Sequence, residues 1–480
     1  MKRPIFIYAI LLGGCLLLWS GCGKKRDARA EIALPKAASN LPKTQFDSRS
    51  SGNSNRMYEW AKETYVGGYQ QAGTKSPRWD AAAAEALEEY SYLRIAGKPR
   101  DPGDPDYLKT QLKKAVNAGC NDPFIRYLHM RRVSPGTGSV TPQVATEFSQ
   151  LATQMDTSGY RNLLKFHVNL RAAKAWRAAY AKQAPEVNHY RRKAMEQLQM
   201  ILAGEDIPPH LAYEACRDLY EAIDQNERQR TDFYRDAEPF LLKRWGKEGF
   251  PYLIKGRFYI DYAWEARGTG WARDVTPDGW KLFSDRLDIA SEALAQAWKK
   301  DPSLPDTPLS AMRLELGEGR GRDRMELWYQ RAITFPQDRY DAVRQKLLYL
   351  QPRWYGSEQE CLDFAREVVK SDQFYGRVPL HLYHTHESLA TYFKDSRPNY
   401  WTEPQVWPDI KASFERYFEL NGEDNSWRHN YVLCAARCQQ WKVCNEQIGK
   451  LTKVNYDYFG GQEAFEKMAQ TAREYAQKEK

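Results

Sequence analysis

The chain has 480 residues, which is enough for two or three ordinary domains or for one extended repeat array. Its hydrophobic fraction of 42% allows a sizeable core, and its formal net charge of +9 is mild for this length. Such an excess favours attraction to an anionic surface but does not indicate a nucleic-acid partner. The 8 cysteines are scattered, so a disulfide scaffold or a metal knuckle is not indicated.

The N-terminus has the layout of a secretory signal. Two basic residues precede a short apolar run, and Ser20 and Gly21 then lead to Cys22 and a polar stretch. This layout resembles a bacterial lipoprotein signal, in which the cysteine is lipidated and becomes the mature N-terminus. Cys15 is a second candidate, but the leucines after it would leave apolar residues on the mature chain. An uncleaved anchor is the alternative, although the run is short for a membrane span.

Four segments are predicted along the chain. Residues 1–21 are a lipoprotein-type signal peptide, and residues 22–56 are the lipidated cysteine with a disordered tether, because this stretch has little apolar content to bury. Residues 57–250 carry N-terminal helical hairpins, and residues 251–475 form a C-terminal tetratricopeptide-like domain. We expect the two to make one continuous curved array.

The body shows helical periodicity without the alternation that indicates a sheet. Leu294 and Trp328 lie 34 residues apart, as do Pro302 and Pro336, and 34 is the tetratricopeptide period. The sequence therefore predicts an all-α fold, a tetratricopeptide-like superhelix of helical hairpins.

One turn between predicted helices has a clear local signature. Ser357 followed by Glu360 predicts a capping box at the start of a helix. Trp354 lies between Pro352 and Gly356, so we expect its ring to be buried where two hairpins stack.

Several tryptophan-containing blocks resemble a known family. The blocks are residues 263–271 (AWEARGTGW), 279–283 (GWKLF), 327–332 (LWYQRA) and 352–357 (PRWYGS). They look like a conserved domain of unknown function found in exported or multidomain proteins of planctomycete-like bacteria. The similarity covers most of residues 105–470. It implies tetratricopeptide-like helices and transfers no catalytic residues or cofactors.

The first of these blocks contains a glycine pair that a phosphate loop would also need. No strand precedes Gly268 and Gly270, so the motif is weak. A left-handed helix cap at Gly268, followed by a new helix with Thr276 as its N-cap, explains the same residues. The remaining hypothesis is that Arg267, Trp271 and Arg273 line a binding groove.

A second candidate surface is a basic stretch. Residues 161–193 carry nine basic side chains and the single acid Glu186. Arg171, Lys174 and Lys182 fall on one helical stripe, which is either a solvated face or a contact for an anionic partner such as an acidic protein or lipid headgroups.

Two groups of residues have the types that metal or disulfide sites use. His381 and His384 share a helical face while His386 points away, so we expect packing and capping histidines and no zinc site. Cys438 and Cys444 flank a tight turn, where two core thiols and a disulfide are the alternatives.

The sequence contains no nucleophile elbow, Walker loop or zincin helix. It favours a non-catalytic, lipid-anchored scaffold of the cell envelope without cofactors, binding an unknown protein or peptide through tyrosine, tryptophan and arginine. The alternative is an envelope enzyme acting on cell-wall glycan, which would need an activated carboxylate in a cleft.

Overall fold

The computed structural model describes residues 51–133, 140–180, 184–223, 227–270, 272–335 and 339–478. Within these ranges the regular structure is entirely helical and contains no strand, which confirms the predicted all-α class. No helix of this part is both long enough and apolar enough to cross a membrane. The signal peptide, Cys22, Lys182 and Trp271 lie outside the described residues.

The chain divides into two compact units. Of the described residues, the N-terminal unit holds those within 51–262 and 292–304, and the C-terminal unit holds those within 263–291 and 305–478. The division runs through two long helices and not through a turn. The boundary expected at 250/251 and the expected continuous array stay predictions.

The N-terminal unit begins with helix at Ser51, earlier than the tether boundary expected at position 56. Five residues of π-helix, Glu63–Gly67, join the first two helices without a break in helical dihedral angles. The helices are α1 (Ser51–Lys62), α2 (Gly68–Ala72), α3 (Asp80–Ala96), α4 (Tyr107–Asn117), α5 (Pro123–Val133), α6 (Pro142–Asp156), α7 (Asn162–Tyr180), α8 (Pro185–Gly204), α9 (Pro209–Ala222), α10 (Glu227–Trp245) and α11 (Phe250–Arg267).

Local chemistry explains several of these helix starts. Proline occupies the first position of α5, α6, α8 and α9, where its missing N–H and fixed φ cost nothing. Asp122 precedes α5, and its buried carboxylate accepts hydrogen bonds from the N–H groups of Phe124 and Ile125, both at 3.0 Å. The same carboxylate accepts the Tyr160 hydroxyl at 3.0 Å, so this cap also ties α5 to the start of α7.

The helices of the N-terminal unit do not lie in a straight row. From α3 to α10, each helix packs on the next one along the chain, and α7 also packs on α5 and on α9. Packed helix axes lie about 8–10 Å apart, so a straight row would separate α3 from α9 by much more than two side chains can bridge. Arg94 of α3 nevertheless donates to Glu214 of α9 at 2.7 Å. The row therefore curls, and α3 returns towards α9.

The C-terminal unit continues with helices that again pack on their neighbours and, in several cases, on the next helix but one. Its helices, besides the end of α11, are α12 (Pro277–Lys300, up to position 291), α13 (Asp306–Glu318), α14 (Arg322–Ala332), α15 (Arg339–Tyr349), α16 (Glu358–Lys370), α17 (His381–Tyr392), α18 (Val406–Asn421), α19 (Asn425–Arg437), α20 (Trp441–Gly449) and α21 (Gln462–Lys478).

Three predicted helix ends are confirmed. Gly268 has a φ of 74°, and its N–H donates to the carbonyl of Trp264 at 3.0 Å, which closes α11. Thr276 accepts the N–H of Gly279 at 3.0 Å and so caps α12. Ser357 accepts the N–H of Glu360 at 3.2 Å, while its hydroxyl donates to the Glu360 carboxylate at 2.9 Å.

The expectation of full burial for Trp354 is wrong. The residue is half-buried, and its indole nitrogen has no hydrogen-bond partner among the described residues. Its ring meets Trp264 edge to face, with the centroids 5.9 Å apart. Tyr355, the next residue, is 37% exposed, and its hydroxyl donates to the carbonyl of Leu316 at 3.1 Å.

Candidate functional site

Three helices of the N-terminal unit bring basic side chains together, and a fourth adds an acidic one. We call this group the basic cluster: Arg94 on α3, Arg131 on α5, and His167, Arg171 and Lys174 on α7. Burial, together with the positive charges of Arg94, Arg131 and Lys174, lowers the pKa of His167 to about 3. The fourth helix, α9, contributes Glu214, which pairs with Arg94 at 2.7 Å. The cluster lies where the curl brings α3 back to α9.

Arg171 is a half-buried cation of the basic cluster. Its guanidinium carbon lies 5.0 Å from the centroid of the Phe148 ring. Burial lowers the pKa of Arg171, and the charge of Arg131 lowers it further. Its Nε atom is buried and has no hydrogen-bond partner within the described ranges. A cation in this position retains unused capacity for a hydrogen bond to an anion.

Acidic side chains neutralise the basic cluster only in part. In the part of the chain that the structure describes, Glu214 pairs with Arg94, and no ion pair is formed by Arg131, Arg171 or Lys174. Like charges held near one another repel, and the repulsion is stronger for partly buried side chains than in water. The free protein therefore holds an unfavourable concentration of positive charge, which an anionic ligand would relieve.

The two surfaces predicted from the sequence have different outcomes. Arg171 and Lys174 do lie together, and the structure adds Arg94, Arg131 and His167 to them. Arg267 is instead engaged locally, since it donates to the carbonyl of Gly270 at 3.1 Å and lies over the Trp264 ring at 5.6 Å.

Arg273, the other described residue of the predicted groove, is largely exposed to solvent. Arg273 has 72% of its side chain exposed and lies 3.8 Å from the Asp274 carboxylate. Arg267 is engaged by its own loop and Arg273 is largely exposed, and the binding groove expected at Arg267, Trp271 and Arg273 stays a prediction.

The three histidines of α17 serve packing. His381 is 2% exposed and its Nε2 lies 2.9 Å from the carbonyl oxygen of Tyr340. Both ring nitrogens of His386 are engaged, Nδ1 with the Tyr400 hydroxyl at 2.8 Å and Nε2 with Asp409 at 3.0 Å. Across the described residues, no group of three or more potential ligands is arranged to hold a metal ion.

Asp409 is the centre of a buried polar network. Burial raises its pKa, but hydrogen bonds from His386 and Arg366 outweigh this effect and hold the pKa below its usual value. Arg366 approaches the carboxylate through two nitrogens, with Nε at 2.9 Å and Nη2 at 2.8 Å. This network joins α16, α17 and α18. Its groups are satisfied by one another, which indicates a structural role.

A carboxylate that the sequence did not single out lies at the end of α13. Burial raises the pKa of Glu318 to about 8, although the nearby Arg320 opposes the shift. The side chain is 2% exposed, and its Oε1 lies 2.6 Å from Nη2 of Arg320. Glu315, one turn earlier, is fully buried and is held by both oxygens through Nε of Arg324, each at 3.0 Å.

The cysteines near the C-terminus remain thiols. Cys438 and Cys444 are both free and buried, so the disulfide alternative is not realised. Burial raises the pKa of each thiol to about 12, which keeps both in the neutral, unreactive form at neutral pH. Cys444 packs with Val432, Ala435 and Ala472 as a small core residue.

Comparison with known proteins adds no identity. No family model matches the chain, and no curated protein is similar to it at a significant level. The resemblance of the tryptophan blocks to an uncharacterised bacterial family therefore stays a prediction.

Proposed function

We propose that this protein is a non-catalytic helical-repeat scaffold, tethered to a membrane of the cell envelope through a lipid on Cys22, that binds a protein or peptide. The helical hairpins would form a tetratricopeptide-like superhelix, as the 34-residue spacing and the family resemblance suggest.

One observation carries the proposal. The curl of the N-terminal unit gathers side chains from helices that are far apart in sequence, as the Arg94–Glu214 ion pair across 120 positions demonstrates. The gathered side chains are mainly arginines beside buried aromatic rings, such as Phe148 under Arg171. Arginine and aromatic residues dominate the energetics of protein interfaces, so this surface is suited to binding.

A photo-crosslinking experiment tests the scaffold proposal. A benzoylphenylalanine replaces Arg131, which is exposed at the basic cluster, and in a second strain it replaces Arg192, which is exposed on α8 outside the cluster. We expect a discrete crosslinked partner in envelope preparations from the Arg131 strain and none from the Arg192 strain. Equal crosslinking at both positions, or none at either, contradicts a binding role for this surface.

An envelope enzyme acting on cell-wall glycan is the second candidate, and Glu318 is the observation that favours it. A carboxylic acid whose pKa is raised to about 8 remains protonated at neutral pH, as a general acid must. However, a general acid must also reach its substrate, and the Glu318 side chain is 2% exposed and paired with Arg320. Purified Glu318→Gln protein separates the two: an enzyme would lose glycan hydrolysis, whereas a scaffold has none to lose.

A further inference from the structure

We infer that the basic cluster binds the carboxylates of an acidic peptide segment, and that Glu214 acts as an internal competitor for Arg94 when the site is empty. The inference rests on the proposed scaffold function and specifies the chemistry of its ligand. Its elements are the uneven charge balance of the site, the enclosure of Arg171 and the position of Glu214.

The charge balance sets the sign of the ligand. Arg131, Arg171 and Lys174 form no ion pair within the described ranges, while Arg94 pairs with Glu214. Hydrogen bonds between cations and carboxylates are among the strongest in proteins, and guanidinium groups bind carboxylates through two parallel bonds. Two or three aspartate or glutamate side chains would therefore satisfy the cluster without leaving unbalanced negative charge.

The enclosure of the site favours a peptide over a membrane surface. Arg171 and Lys174 are half-buried, and Arg171 lies against the Phe148 ring between α6 and α7. Because these side chains are half-buried, a thin ligand reaches them more readily than a flat array of lipid headgroups does. An extended peptide is thin and rises about 3.3 Å per residue, so acidic residues two or three positions apart match side chains presented by neighbouring helices.

Glu214 is placed to compete with an acidic ligand for Arg94. Its carboxylate lies 2.7 Å from Nη2 of Arg94, in the position that a ligand carboxylate would take. Replacing Glu214 with glutamine removes the competing charge while keeping the shape of the side chain. The variant should therefore bind an acidic peptide more tightly, whereas a residue with a purely structural role would weaken binding when changed.

Fluorescence anisotropy with defined peptides tests the inference on the full chain in detergent. The probe is a labelled twelve-residue peptide with aspartates and glutamates at every third position, and its control carries asparagine and glutamine there. We expect the acidic peptide to bind with a steep salt dependence and the amide control not to bind. Arg171→Gln and Lys174→Gln should each weaken binding about tenfold, Glu214→Gln should tighten it about threefold, and Arg192→Gln should leave it unchanged.

Further control variants separate a loss of binding from a loss of folding. Arg171→Lys retains the charge and should recover most of the binding, and far-ultraviolet circular dichroism checks that each variant is folded. Binding of both peptides alike, or weakening by Glu214→Gln, overturns the acidic-peptide inference. The scaffold proposal fails separately, if the Arg131 crosslinker captures no partner. Preferential binding of the Cys22→Ser chain to phosphatidylglycerol vesicles, lost in Arg171→Gln, would instead assign the cluster to lipid headgroups and overturn the inference.

Discussion

Replacing His381 with glutamine should remove a defined part of the acid sensitivity of the C-terminal unit. His381 is 2% exposed, and burial, with the nearby charge of His384, lowers its pKa from 6.5 to about 3. The unfolded chain therefore binds one more proton than the folded chain between these two pH values. Stability rises with pH wherever the unfolded state binds more protons, so it falls as the pH drops below about 6.5.

The size of the effect follows from the two pKa values. Between about pH 7.5 and about pH 5, the linkage relation gives a loss of about 2 kcal/mol from this one side chain. Glutamine does not titrate, and its amide can still donate to the carbonyl of Tyr340, which His381 Nε2 contacts at 2.9 Å. The variant should thus lose about 2 kcal/mol less than the wild type over the same pH range.

Urea denaturation at the two pH values, followed by tryptophan fluorescence, measures this difference. The transition of the C-terminal unit is compared between variants, so contributions from other titrating groups cancel. His189→Gln is the matched control, because His189 is exposed on α8 in the other unit. If wild type and His381→Gln lose the same free energy of unfolding, His381 protonates as readily in the folded state as in the unfolded one, and the reasoning is refuted.

Three further predictions concern single side chains. Ser357→Ala should lower the free energy of unfolding by about 1 kcal/mol, the usual effect of a lost N-cap, and an unchanged urea midpoint would contradict it. Trp354→Ala should cost about 1–3 kcal/mol, less than a fully buried tryptophan, because its ring is half-buried; full stability with loss of partner capture would instead place it in a binding surface. Cys22→Ser should release the folded body from membranes, and fractionation that finds it still bound would contradict lipid anchoring.

Local features of the fold were predictable from the sequence because their causes are local. The caps at Thr276 and Ser357 depend on a side-chain oxygen and a backbone N–H three residues later, and both are present as expected. The left-handed end of α11 depends on Gly268 alone. The first residues of the helix that begins at Ser51 have no apolar periodicity to detect, although they continue directly into a helix with the buried residues Met57 and Ala61.

The candidate site was predictable only in part, because it depends on the curl. Arg171 and Lys174 lie three residues apart on one helix, so their common face could be predicted from spacing. Arg94 and Arg131 instead lie in the last turns of α3 and α5, where a basic residue is expected simply to complement the helix dipole. The sequence does not predict that the ends of these two helices meet α7, because that contact depends on the angles between successive helical hairpins.

Removing one charge of the basic cluster should stabilise the protein, whereas most substitutions destabilise it. The phenolate of Tyr127 would raise the pKa of Arg131, but the pKa of Tyr127 is itself raised, so its hydroxyl is neutral at pH 7. What remains at neutral pH is burial and the nearby charge of Arg94, without an ion pair within the described residues, so the charge of Arg131 opposes folding. Arg131→Gln keeps a polar side chain beside Tyr127 but removes the repulsion, and it should raise the free energy of unfolding by about 0.5–1 kcal/mol at low salt. The gain should largely vanish at about 0.5 M salt, where charges are screened within a few ångströms. If Arg131→Gln loses stability at both salt concentrations, Arg131 has a structural partner and the prediction is wrong. If it instead gains stability only at low salt and binds the acidic peptide more weakly, the protein keeps this charge for binding at the expense of stability.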